Sequence, residues 1–173
     1  MKKLTKLAAL LGGLTIMACN TKPIVVGDYA TYPEYTKGDL GLTYTPAQSV
    51  IKLWAPDAQG VVLSIYENGT GGKAIEQIEM TKGVKGTWSA TLAGDRKGQF
   101  YTFQVTTLAG KTLAETPGVW NKAVGVNGWR GAVIDWTETN PEGWAEDKSP
   151  EVKPSDIIVY EMHHRDFSIH HTS

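Results

Sequence analysis

Apolar and polar residues change places at every second position in several short stretches. Val61, Leu63 and Ile65 share one face, as do Tyr101, Phe103 and Val105. A period of two is the mark of a strand with one buried side. Six such runs follow one another, at 49–54, 61–66, 75–80, 87–92, 100–106 and 132–135. Turn-forming residues punctuate them: Ala55-Pro56-Asp57, the Asn68 to Gly72 stretch, Gly83, Gly94-Asp95, Gly110 and Asn127-Gly128. Short strands at roughly 8- to 12-residue spacing with Gly-rich turns predict an antiparallel, immunoglobulin-like β-sandwich in a mainly β chain. Its bounds are set at 39–136. No stretch has the period of a long helix.

Two other patterns flank it. Residues 19–38 have neither period, with Tyr29, Tyr32 and Tyr35 set among small and polar residues, and read as a tether that orders in part by laying its tyrosines on the next domain. Past a Pro-bearing connector over 137–156, Ile157-Ile158-Val159-Tyr160 is continuously apolar. That is the pattern of a strand buried on both faces, as in parallel sheets and (β/α)8 barrels. With so few residues after it the strand has no neighbour to pair with, so 157–173 is read as the start of a truncated barrel.

The N-terminus changes the picture of location. Lys2, Lys3 and Lys6 precede and interrupt a short apolar stretch that ends at Ala18, the layout of a secretory leader over 1–18 that is too short to span a bilayer. Ile16-Met17-Ala18-Cys19 resembles the bacterial lipobox, which implies lipid attachment at Cys19 and a membrane-anchored protein of the cell envelope. Cys19 is the only cysteine of the 173 residues, so an internal disulfide and any multi-thiol zinc site are excluded. The formal net charge is −1, and loss of the leader lysines makes the rest more acidic, so a nucleic-acid partner is not expected.

Family resemblance enters through the far end of the chain. Tyr160-Glu161-Met162-His163-His164-Arg165-Asp166-Phe167-Ser168 resembles the first barrel strand and loop of starch-debranching members of glycoside hydrolase family 13. Upstream, Asp39-Leu40-Gly41-Leu42-Thr43-Tyr44, Leu53-Trp54-Ala55-Pro56, the run from Gly98 to Val105, Lys122-Ala123-Val124-Gly125-Val126-Asn127-Gly128 and Asn140-Pro141-Glu142-Gly143-Trp144 keep the order seen in type I pullulanases. The resemblance implies a sandwich like the family 48 carbohydrate-binding module, a following barrel that hydrolyses α-1,6 linkages in pullulan, starch or glycogen, and an α-glucan partner. Thr116-Pro117-Gly118-Val119-Trp120-Asn121 departs from the pattern, as does His164. The alternative is a non-enzymatic glucan-binding or structural lipoprotein module.

Retaining glycosidases need two carboxylates about 5 Å apart, and the resemblance places that pair beyond Ser173. No catalytic residue is therefore assigned; Glu161 and Asp166 are read as structural. Among six tryptophans, Trp54 lies opposite the Ile51/Leu53 face and is the surface candidate for stacking a sugar. Trp88 is the second candidate, although it shares its strand face with Ala90 and Leu92 and so also fits the core. Four histidines, His163, His164, His170 and His171, crowd together. Adjacent histidines on a strand point to opposite sides, so no metal site and no cofactor is assigned. The His164-Arg165-Asp166 triplet lacks the other parts of a kinase loop.

Overall fold

The computed structural model describes residues 23–172. The leader and Cys19 lie outside them. The chain divides after Asp135 into two compact units.

Eight strands build the first unit: β1 (Gly41–Thr45), β2 (Gln48–Trp54), β3 (Ala58–Tyr66), β4 (Glu76–Glu79), β5 (Thr81–Lys82), β6 (Thr87–Ala93), β7 (Phe100–Thr107) and β8 (Gly131–Ala132). They form two four-stranded sheets in the orders β1-β2-β6-β5 and β4-β3-β7-β8, with every pairing antiparallel. Alternation sorts the faces. In β2 the buried residues are Ser49, Ile51 and Leu53. Register then sets Ile51 beside Ala90 and Leu53 beside Trp88 in the first sheet, and Leu63 beside Phe103 and Ile65 beside Tyr101 in the second. These inner faces make one hydrophobic core. Sandwich closure thus follows from burying two apolar faces against each other.

The sequence reading needs correction in places. The expected strand over 75–80 shortens to β4, and an unforeseen strand, β5, follows it in the opposite sheet. Between them Met80 is buried and donates its N–H to the Val61 carbonyl at 2.9 Å, which marks the corner where the chain changes layer. β1 has only Leu42 and Tyr44 as large half-buried residues, too weak a stripe to stand out, yet it forms a tight hairpin with β2 closed by the Thr45 hydroxyl on Gln48. The last run shortens to β8.

At one turn glycine is required. Gly86 has φ +77°, and a Cβ there would lie 2.5 Å from the Cα of Pro56. Its carbonyl accepts the Ala55 N–H at 2.9 Å, so the β2–β3 loop is pinned against the start of β6.

Residues 23–38 carry a 3-10 turn at Tyr29–Thr31 whose N-cap is the Asp28 carboxylate, accepting from the Ala30 N–H at 3.1 Å. Tyr32 and Tyr35 then lie on the outer face of the first sheet. The Tyr32 ring meets Trp54 edge-on at 6.3 Å, and its hydroxyl donates to Asp57 at 3.2 Å.

The second unit contains no strand among its described residues. The stretch 157–160, expected as a barrel strand, has no ladder partner, with Ile158 94% and Val159 85% exposed. A strand is stable only when its N–H and C=O groups are taken up by neighbours, and none is present here. Downstream, α1 (His164–Ser168) is a single turn capped by the His163 imidazole, which accepts from the Asp166 N–H at 3.2 Å.

Candidate functional site: two outer faces

A β-sandwich spends its inner faces on the core, so binding chemistry has to sit on the outer faces and their loops. Strand parity decides which side chains reach them.

On the outer face of the second sheet, Ser64 of β3 stands across from Thr102 of β7, and Tyr66 ends the same row. All three are buried, because loops fold over them. Glu115 reaches back to this row. Its Oε2 accepts the Tyr66 hydroxyl in a short hydrogen bond and the Thr102 hydroxyl at 2.8 Å. Burial, and then the Glu115 carboxylate, hold the Tyr66 phenol above its usual range. The Arg130 guanidinium lies 3.5 Å above the Tyr66 ring and donates to the Asn68 carbonyl at 2.6 Å.

Trp129 sits next to this cluster with 67% of its surface exposed. The preceding turn uses left-handed backbone at Asn127 (φ +52°) and Gly128. Two loops meet closely here, since a Cβ on Gly125 would come within 2.6 Å of the Gly69 Cα. Thr70, Gly71, Thr102, Glu115, Trp129 and Arg130 line a cavity of about 260 Å³. It combines an open indole with hydroxyl, carboxylate and guanidinium groups, the mix that fixes a polyhydroxylated ring by stacking and hydrogen bonding.

On the outer face of the first sheet, Trp54 is half-buried and its indole N–H donates to the Lys85 carbonyl at 3.0 Å. It lines an open cleft of about 410 Å³ with Tyr29, Tyr32, Glu34, Tyr35, Leu40 and Trp120. Lys52 ties the cleft's floor to residues 23–38. Its ammonium forms a short ion pair with Asp39, and Asp39 accepts the Tyr35 hydroxyl at 2.7 Å. The Lys52 hydrogen bond, then that of Tyr35, hold the Asp39 carboxyl below its usual range; the hydrogen bond to Asp39 in turn raises Lys52.

Trp88 is placed differently. Its side chain is in the core, 5% exposed, with the indole N–H donated to the Ala55 carbonyl at 3.0 Å and the Lys82 ammonium 5.5 Å from the ring. No face of the ring is open for a sugar. In the second unit Asp166 pairs with His163 at 3.3 Å, and Glu161 is exposed. Among the described residues no group of three or more His, Cys, Asp or Glu side chains could hold a metal ion.

Sequence reasoning missed Trp129, Arg130, Tyr66 and Glu115 as a group. The turn before Trp129 was legible in Asn127-Gly128, but the meeting of Glu115 with Tyr66 spans 49 residues and leaves no local pattern.

Residues 39–121 match the model of carbohydrate-binding module 48, the isoamylase N-terminal domain. Over 139 residues the chain is 34% identical to a pullulanase of Bacillus subtilis, covering 80% of this chain and 18% of that protein. Over 142 residues it is 32% identical to the chloroplastic pullulanase 1 of Arabidopsis thaliana, covering 76% and 14% respectively. Among solved structures, pullulanase from Paenibacillus barengoltzii in complex with maltohexaose and α-cyclodextrin superimposes with a TM-score of 0.75 at 39% identity, over 86% of this chain and 23% of that one. The chain therefore spans less than a quarter of the length of each of these relatives.

Proposed function

We propose that this chain, whose residues 39–121 are a carbohydrate-binding module 48 domain, is the N-terminal portion of a pullulanase-like glycoside hydrolase that cleaves α-1,6 linkages in α-glucans. The observation that carries the reading is the match to pullulanase of both sequence and fold over 86% of the chain, far beyond the sandwich alone. In this reading 157–173 begins the catalytic barrel. Its continuous apolar run becomes a strand once neighbouring strands pair with it, and the carboxylates of the retaining mechanism come from those later strands. The residues described here do not hydrolyse glucan by themselves.

The sandwich's part is to hold glucan near the catalytic barrel. Trp129 offers the stacking face, while Thr70, Glu115 and Arg130 supply hydroxyl, acceptor and donor groups for sugar hydroxyls. Cys19 carries the lipid anchor, and the segment to residue 38 links that anchor to the sandwich, placing the enzyme at the cell envelope.

The test starts from the native protein, isolated with an antibody raised against the sandwich. A species much longer than the 173 residues of this chain that releases reducing ends from pullulan is the expected result. A native species no longer than the 173 residues of this chain, without hydrolysis, would overturn the enzyme reading in favour of a non-enzymatic module. For the anchor, Cys19→Ala is expected to move the protein from the detergent phase to the aqueous phase; unchanged partitioning would refute it.

A further inference from the structure

Residues 23–38 do more than span a distance. If they were only a spacer, their aromatic residues would have no reason to converge. Instead the Tyr29–Thr31 turn delivers Tyr29 and Tyr32 side by side, with ring centroids 5.4 Å apart and planes at 70°. Tyr32 is fixed by Trp54 and Asp57, and Tyr35 by Asp39 and Lys52. Trp120, from the stretch that departs from the pullulanase pattern, lines the cleft with them. Asn121 anchors that stretch by donating to the Pro117 carbonyl and accepting the buried Tyr101 hydroxyl at 2.6 Å.

The outcome is a preformed cleft with five aromatic side chains, Tyr29, Tyr32, Tyr35, Trp54 and Trp120, and the exposed carboxylate of Glu34 at its rim. An aromatic set this dense is usually buried for packing. Here Tyr29 stays 80% exposed, which packing does not explain. The fixed rings lower the ordering cost of binding, and a carboxylate at the rim suits the hydroxyl groups of a neutral sugar.

We infer that this cleft is a second α-glucan-binding site, formed jointly by the N-terminal segment and the outer face of the first sheet and separate from the Trp129 cavity. The inference rests on the glucan-binding reading of the sandwich. Two sites on opposite faces of one sandwich allow bivalent contact with a long glucan, so that a branched polymer is held more tightly than a short oligosaccharide.

Affinity electrophoresis of the chain through amylopectin gels, with Tyr29→Ala, Glu34→Ala, Trp129→Ala and the Tyr29/Trp129 double variant, tests it. Tyr29 and Glu34 are exposed, so their truncation leaves the core intact. Tyr29→Ala is expected to weaken retardation roughly five- to tenfold, the value of one lost ring face. The double variant should fall below either single one. Maltoheptaose titrated into the Trp129→Ala chain should still shift the indole N–H resonances of Trp54 and Trp120. If Tyr29→Ala and Glu34→Ala migrate like wild type while Trp129→Ala abolishes retardation, the second site is refuted and the Trp129 site stands. Absence of retardation of the wild-type chain overturns both sites, while the hydrolase reading is still decided by pullulan cleavage in the native protein. Retardation of the Tyr29 variant only in the presence of another protein would assign the cleft to a protein partner and overturn the glucan inference.

Discussion

Trp88→Ala provides the sharpest test of how this sandwich divides its aromatic residues between core and surface. Trp88 is 5% exposed, so nearly its whole side chain is out of water. Burial of about 200 Å² at about 25 cal/mol per Å² is worth about 5 kcal/mol, of which truncation to Ala forfeits about 4 kcal/mol once the retained Cβ is allowed for. The Ala55 carbonyl also loses its indole donor. In a sandwich of this size a loss of about 4 kcal/mol lowers Tm by about 15–30 °C. Trp88→Phe keeps most of the apolar volume but not the donor, and is expected to cost about 1–2 kcal/mol. Differential scanning calorimetry of both variants, beside amylopectin gels run well below Tm, separates the roles. A Trp88→Ala chain that melts within about 3 °C of wild type and yet loses glucan retardation would refute the core assignment.

Other outcomes follow from the same structure. Ser49 is fully buried and its hydroxyl has no hydrogen-bond partner among the described residues, so Ser49→Ala is expected to raise stability by roughly 1 kcal/mol in urea titration. Gly86→Ala forces a Cβ onto Pro56 at a positive φ, and should cost roughly 2 kcal/mol or more by the same assay. Glu115→Ala leaves the buried Tyr66 and Thr102 hydroxyls without their acceptor; a loss of about 1–3 kcal/mol is expected, with weaker retardation in amylopectin gels. The Asp39–Lys52–Tyr35 linkage sets a pH window. Asp39 is held low, so its contribution is present above its unfolded pKa of about 4 and is lost as pH falls through the lower folded value. Lys52 is held high, so its contribution is present below about 10.4 and lost as pH rises through the raised value. NMR titration of the Tyr35 ring should show an acid transition that Asp39→Asn abolishes.

How much of this was readable in the chain differs between elements. Period-two alternation made the runs around β2, β3, β6 and β7 legible, because each is long enough to show a buried and an exposed face. β1 and β5 were not, since an edge strand with two half-buried residues and a two-residue strand have no stripe to read. Strand parity already set Trp54 on the outer face and Trp88 on the side of Ala90 and Leu92, and closure of the sheets buried Trp88 to 5% exposure. The Trp54 cleft was half-visible in the three tyrosines of residues 23–38; the part played by Trp120 was hidden.

The sequence by itself determined the layered β architecture and the turns, because strand faces and turn residues are local properties, set by side-chain alternation and backbone φ. It also carried the family resemblance, in ordered motifs from Asp39 to Ser168. Tertiary structure alone decided which outer surfaces became clefts. Glu115 on Tyr66, Arg130 on the same ring, and Trp120 in one cleft with Tyr29 are meetings of residues far apart in the chain. Such meetings depend on sheet register and loop closure, which are fixed by the packing of the whole core and not by any one segment.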